Sequence, residues 1–431
     1  MLAALRQRNF ALLWFGQLIS LLGDWILFVA LPFAIYTLTG STLATGVMFI
    51  VQTLPRLFLG SVAGVFVDRW NRKRTMYIAD LLQALALLPL LLVHSSHLVW
   101  IIYVFAFVES CISQFFIPAK GAIIPHLVDE EHLVAANSLN SSSEQLTRLV
   151  GPVIGGALFA LLGINGVALA DSASFLISAV MIMLIVLPRP RTQEEAPSIT
   201  GSLAPSTSAA ITFEAVWREW LEGLALVRKE RLIVAIFAAM GVAMVGEGLI
   251  EVLLVPFVKD IMHGNAEVLG WILTAQAVGG IAGSFLLSSV SKKIAPRLLV
   301  AGSGIALGII LFIMINFPAL GLVLALLALA GLPVIGFYIN LYTLLQLNVA
   351  DKYRGRIFGA YTTMQALMML LGMALASGLG DRIGIIPMMD VDAVCNILAG
   401  IIAFVLMRGM VLTKRAEAVE SEFVAQEGTL L

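Results

Sequence analysis

Long apolar runs separated by short polar or charged segments set the rhythm of the chain. Runs near 10–38, 42–67, 75–93, 98–118, 137–162, 164–187, 232–258, 267–290, 297–315, 318–345, 357–379 and 385–407 approach or exceed the roughly twenty residues a helix needs to cross a bilayer. The pattern therefore predicts twelve membrane helices. Asp390, Asp392 and Asn396 interrupt the last run, so an eleven-span arrangement with that segment at the interface is the alternative. Between Leu187 and Arg231 the composition turns to Pro, Ser, Thr and Gly and then to a charged amphipathic stretch, which reads as a linker. The expected division is a six-helix bundle over 1–188, a cytoplasmic linker over 189–231, a second six-helix bundle over 232–408 and a cytoplasmic tail over 409–431.

The two bundles echo each other. Pro32-Phe33, Gly40 and Gly46 recur as Pro256-Phe257, Gly264 and Gly270 at one constant offset, and Gly23-Asp24 returns as Gly246-Glu247 one residue out of phase. VDEEHLVAANSLN from Val128 has a fainter echo in ADKYRGRIFGAYT from Ala350. The expected fold class is an all-α membrane protein of two pseudo-symmetric halves. Paired six-span halves with a site between them at mid-membrane are a transporter design.

Composition agrees. The chain is 60% hydrophobic and 12% charged, with mean hydropathy +0.98, whereas about a quarter of the residues of a soluble domain are charged. A net charge of -1 gives no basic face for nucleic acid. Cys111 and Cys395 lie inside apolar runs, which argues against a disulfide framework. His94, His97, His126 and His132 are too loosely spaced for a metal, and no metal site or cofactor is expected. The apolar run that follows the N-terminus is too long for a cleaved signal peptide, so it reads as a retained first helix.

Lys and Arg near span ends favour the cytoplasmic side. With the N-terminus inside, all of the 26 Lys and Arg residues except Arg56, Arg148, Lys259 and Arg382 fall in cytoplasmic segments. Twelve spans then place both termini in the cytoplasm.

The segment Gly60–Arg74, GSVAGVFVDRWNRKR, joins small residues to an acid and a cationic run in a short loop between spans two and three. From Gly64 to Lys73 it resembles the G-x-x-x-D-R-x-G-R-K signature of the major facilitator superfamily. Gly64, Asp68, Arg69, Arg72 and Lys73 match it, and Asn71 stands where the family has Gly. Asn tolerates left-handed backbone, so the tight turn is expected to survive. The resemblance implies the major facilitator fold, with Asp68 meeting the start of the eleventh helix, where exposed N–H groups and the helix dipole favour a negative charge. Asp68 would thus latch the cytoplasmic face, while Arg72, Lys73 and Arg74 also fix topology. In the second half Gly64 and Lys73 have counterparts in Gly283 and Lys292, while the Asp68 position falls on Leu287, so the latch is expected on one side only.

A second signature, Gly151-Pro152-Val-Ile-Gly155-Gly156, resembles the end of the superfamily's antiporter motif, G-P-x-x-G-G, which the resemblance associates with exporters. Ser138 and Thr147 replace that motif's upstream glycines. Small residues let helix backbones approach, and the proline removes one helical hydrogen bond. With the stretch Phe116–Ser178 and ADKYRGRIFGAY, the chain resembles the bacterial efflux subgroup that contains macrolide exporters and the enterobactin exporter.

Charges at membrane depth are costly and mark function by default. Asp24, Arg56, Glu109, Glu144, Arg148, Asp171, Glu247 and Glu251 lie within predicted spans. Asp24 and Glu247 hold matching places in spans one and seven; Asp24 is the first candidate for proton coupling or cation contact and Glu247 the second, since a desolvated carboxylate in a central cavity can exchange protons. Glu251 shares a helix face with Glu247, and two like charges on one cavity suit proton exchange or a cationic substrate. Glu144 and Arg148, four residues apart, suit either an internal ion pair or the cavity; Glu109 joins the cavity group. Trp25 and Phe28 are candidates to line a site for bulky apolar molecules. No nucleophile–base pair or nucleotide-binding motif appears, so the expectation is a monomeric, non-enzymatic secondary transporter. It is expected to export a hydrophobic or amphipathic, drug-like molecule by proton antiport and alternating access. Export of an endogenous metabolite such as a siderophore, or movement of a lysolipid, is the alternative.

Overall fold

A computed structural model describes residues 4–186, 230–291, 294–349 and 353–408. The expected linker 189–231 (apart from its last two residues), the tail 409–431 and the loop cations Lys292, Lys293 and Lys352 lie outside them. The described residues are helical throughout their ordered elements, without strands. Eleven helical stretches are long and apolar enough to cross a membrane, and one of them, Glu130–Met183, is long enough to cross twice.

In chain order α1 is Arg8–Thr39, α2 Thr42–Arg69, α3 Arg72–Leu87 and α4 Trp100–Ile123. The run Leu133–Met183 leaves helical geometry at Gly163, with φ 64 and ψ -166, a conformation open to glycine at little cost; it divides there into α5 (133–162) and α6 (164–183). The second half holds α7, Arg231–Pro256, prolonged through Phe257–Ile261 by a π turn, then α8, Ala266–Val290, and α9, Pro296–Asn316. It ends with α10, Leu320–Asn348, α11, Arg354–Ile383, and α12, Ile385–Leu406. Because α12 is a continuous, strongly apolar helix of 22 residues, the twelve-span reading holds and the eleven-span alternative does not. Its two acids find inward or lateral partners: Asp390 accepts from Asn316 at 2.8 Å, and Asp392 is buried.

Helix ends follow local chemistry. Gly40 closes α1 in the left-handed region at φ 62, and Ser41 caps α2 by accepting from the Ala44 N–H. Asn71 departs from the sequence expectation. It is extended (φ -72, ψ 105), and its side chain caps α3 by accepting from the Arg74 N–H at 3.0 Å. The turn is kept by a helix cap rather than by a left-handed residue. Lys73 donates to the Met183 and Ile185 carbonyls at 2.8 and 2.7 Å, satisfying orphan acceptors at the end of α6. Arg72 donates to the Ala122 carbonyl at 3.1 Å and contacts His126.

Within the first half α1 packs on α5 and α6, α2 on α4, and α3 on α4 and α6; within the second, α7 packs on α11 and α12, α8 on α10, and α9 on α12. The halves meet chiefly through α5 with α8 and α2 with α11. Small residues permit both seams. The Gly156 Cα faces the Ala266 carbonyl, and Gly270 faces the Pro152 carbonyl; a side chain at either position would force α5 and α8 apart. On the other face of α5, Gly151 lies against Trp25 and Gly155 against the Ile26 backbone of α1. The G-P-x-x-G-G stretch is thus a packing hub that touches both halves.

Candidate functional site

A cavity of about 810 Å³ lies between the halves. From the first half α1 contributes Trp25, Phe28 and Pro32, and α5 contributes Gln145, Arg148 and Pro152. From the second, α7 contributes Glu247 and Glu251, α10 Tyr338, and α12 Asp392 and Asn396; aliphatic side chains of α8 and α10 complete the wall. Trp25 and Phe28 meet edge to face with ring centroids 5.3 Å apart, a favoured aromatic geometry that stiffens this wall.

A smaller cavity of about 270 Å³ lies within the first half and holds Asp24, Gln52 and Glu109. Glu109 accepts from Ser113 at 2.8 Å, and Gln83 donates to the same hydroxyl at 3.1 Å. Two further acids lie buried nearby in the half. Asp80 on α3 and Asp171 on α6 are nearly inaccessible, and each keeps one carboxyl oxygen without a hydrogen-bond partner. Asp171 accepts from Ser174 at 2.9 Å and rests against Gly23. In the second half Asp392 rests likewise against Gly246, the echo of Gly23.

The sequence-predicted acids therefore divide between two cavities. Glu247, Glu251 and Arg148 share the large one, whereas Asp24 and Glu109 share the small one. Asp24 and Glu247 hold matching places but do not line the same space, because Trp25, Phe28 and Pro32 line both cavities and stand between them. Trp25, which follows Asp24, lines both cavities, while Gly248, which follows Glu247, packs against the α11 backbone. Glu144 lines neither cavity and approaches Lys120 at 3.9 Å, so it makes its ion-pair contact across to α4 rather than along α5 to Arg148.

Asp68 is exposed and makes no hydrogen bond or ion pair among the described residues, and a Cβ at Gly64 would meet open space. The opposite end of the bundle is tied. Asp381, at the end of α11, accepts from the Thr42 N–H at 3.0 Å and the Ser41 hydroxyl at 3.1 Å at the start of α2. Tyr36 donates to Asp260, and Lys259 lies over the Tyr36 ring; Tyr36 and Asp260 are separated by 224 residues, the repeat offset itself. Midway down the seam, Thr274 donates to the Leu149 carbonyl at 2.8 Å.

Sequence reasoning noted Asp392 and Asn396 only as interruptions of the last span and passed over Asp80, Asp260 and Asp381. A signal was available for Asp392: a polar residue four positions before another polar residue puts both on one helix face. Asp260 and Asp381 offered none, because an acid near a helix end reads as solvated. Among the described residues no three His, Cys, Asp or Glu side chains converge on a metal-binding point.

The sequence profile of the Major Facilitator Superfamily matches residues 13–373 and 236–428. The chain is 29% identical to an uncharacterized MFS-type transporter, YfiS, of Bacillus subtilis, with 93% of each chain covered. It is 27% identical to macrolide efflux protein A of Streptococcus pyogenes (88% of this chain, 90% of that one) and 27% identical to the multidrug efflux pump Tap of Mycolicibacterium fortuitum (92% and 95%). Among solved structures, a bacterial homologue of the iron transporter ferroportin in an inward-facing state superposes with a TM-score of 0.73 at 16% identity, covering 93% of this chain and 99% of that one. These relatives and neighbours are transporters rather than enzymes.

Proposed function

Since the chain belongs to the major facilitator superfamily, and so to a family of multi-pass membrane transporters, we propose that it exports a hydrophobic or amphipathic, drug-like small molecule by proton antiport and alternating access. The cavity between the halves carries this reading. It is large enough for a drug-sized ligand, mostly apolar, and supplied with charged side chains from both halves. The names of two relatives, a macrolide efflux protein and a multidrug efflux pump, support export, and so does the G-P-x-x-G-G hub at the seam.

Asp24, with Glu109 beside it in the smaller cavity, is the proton-coupling group in this reading. An acid that alternates between charged and neutral at membrane depth avoids holding a costly charge through the whole cycle. Glu247, Glu251 and Arg148 contact substrate. Asp68 latches the α2–α3 end onto the start of α11 in the other conformation, with Arg69, Arg72 and Lys73 holding the loop; Gly64 makes room at that stage. The protein acts as a monomer of two bundles, 1–188 and 232–408, joined by the linker 189–231 and followed by the tail 409–431. It sits in the bacterial inner membrane with both termini cytoplasmic, as the sorting of Lys and Arg supports.

Everted vesicles carrying an imposed proton gradient test this. Addition of a transported compound should partly collapse the gradient, and Asp24→Asn should abolish uphill transport. Active transport that persists without any proton gradient would overturn antiport; uphill transport by Asp24→Asn would remove that residue from the role.

A further inference from the structure

Asp392 and Asn396 line the main cavity although only 2% and 3% exposed. The Asn396 amide donates to Asp392 Oδ1 at 2.8 Å and to the Asp392 carbonyl at 3.1 Å. That arrangement commits its nitrogen and leaves its Oδ1 as an acceptor, which has no hydrogen-bond partner. Across from it, Glu247 on α7 lines the same cavity, and the absence of a side chain at Gly246 lets Asp392 press against α7. Ionised carboxylates and an amide oxygen only accept. A buried acceptor left without a donor is costly in folding free energy, so the arrangement suits a ligand that brings N–H groups of its own.

Charge points the same way. The charged residues lining the cavity are Glu247, Glu251, Asp392 and, from α5, Arg148; Tyr338 on α10 adds a hydroxyl. A buried carboxyl holds its charge at low cost only beside a partner; the one guanidinium can pair with one of the three acids, and a positive ligand would pair with another. Leu269, Ile272 and Leu273 on α8 with Leu327 and Val334 on α10 offer the same ligand an apolar bed.

We propose that Asp392, Asn396 and Glu247 form a binding site for the protonated primary or secondary amine of an amphipathic molecule whose apolar body lies along α8 and α10. The proposal rests on the export reading above and adds the substrate's chemical class and its anchor. It also separates the tasks of the two cavities, with the amine held in the large one and the coupling acid in the small one behind Trp25 and Phe28.

Isothermal titration of the full chain in lipid nanodiscs with three matched probes tests it: 8-phenyloctylamine, its N,N,N-trimethyl derivative and 8-phenyloctanol. The amine should bind at least about tenfold more tightly than the alcohol, the size expected of one charge-assisted hydrogen bond. The trimethyl cation, which has charge and no donor, should fall between them. Asp392→Asn and Asn396→Leu should each remove most of the amine's advantage, whereas Asp390→Asn, on the same helix but bonded to Asn316 outside the cavity, should keep it. Equal binding of amine and alcohol by the wild-type chain overturns the site, as does failure of all three to bind. Retention of the full preference by folded Asn396→Leu overturns it too; should Asp392→Asn not fold, the wild-type series and Asn396→Leu still decide. Gradient-driven flux of some compound without amine preference sinks the site alone. Absence of flux for every compound sinks the export reading and leaves the titration to judge the site.

Discussion

The antiparallel pair α2 and α11 ends differently at its two extremities. At the α1–α2 end, Asp381 from the last turn of α11 accepts hydrogen bonds from Thr42 and Ser41 at the first turn of α2, where the helix dipole favours a negative charge. At the α2–α3 end, Asp68 in the last turn of α2 is exposed and makes no hydrogen bond or ion pair among the described residues. A carboxylate meets the N-terminus of the antiparallel neighbour at one end of the pair, and the acid at the other end stands exposed. A transporter that alternates access needs seams that close in turn, and a contact such as that of Asp381, of a few tenths to about 2 kcal/mol, is strong enough to bias such an equilibrium without freezing it.

The largest expected effect comes from breaking the closed end through packing. Gly156→Leu drives a side chain into the Ala266 backbone, and forcing bulk into a tight seam costs about 1–3 kcal/mol or more. Transport should fall by at least about tenfold, and spin labels at the exposed Leu43 and Ile383 should report longer separations; unchanged distances would show that the α5–α8 seam does not hold this end.

Removing the tie itself comes next. Asp381→Ala deletes the acceptor at the start of α2, with an expected cost of about 1 kcal/mol. The same label pair should show a new population at longer distance. Asp68→Asn is the contrasting experiment. It should leave that distance distribution and membrane insertion unchanged while slowing transport several-fold, a divergence that a fluorescent C-terminal fusion and a flux assay read separately. Equal effects of both substitutions on the α1–α2 end would erase the comparison.

Tyr36→Phe removes one hydrogen bond to Asp260 and keeps the ring, so a loss of about 1 kcal/mol is expected, visible as a small rise in the open population. The smallest effect should be that of Lys73→Gln, which loses the ion's contact with two carbonyls at the end of α6. Thermal unfolding should report a fall of about a degree or two, with the label distances unmoved.

Much of the fold was legible because a bilayer leaves a chain few choices. Backbone groups in hydrocarbon must satisfy themselves, so an apolar run of the right length becomes a helix, and twelve such runs, a repeat and sorted cations specify the count and the two halves. Glycines at Gly151, Gly155 and Gly156 announced close helix approach by their smallness alone. Acids inside apolar spans such as Asp24 and Glu247 stood out because charge is rare at that depth.

What the sequence could not settle is which acids share a space. Asp24 and Glu247 are repeat mates by position, and only the packed bundle shows that they line different cavities, with Trp25 on the wall of both. Asp381 and Asp260 carry no local mark, since their partners, Ser41, Thr42 and Tyr36, lie hundreds of residues away across the interface. Helix formation is local and follows from composition and period; the pairing of polar atoms across helices depends on rotation and register, which tertiary packing alone decides.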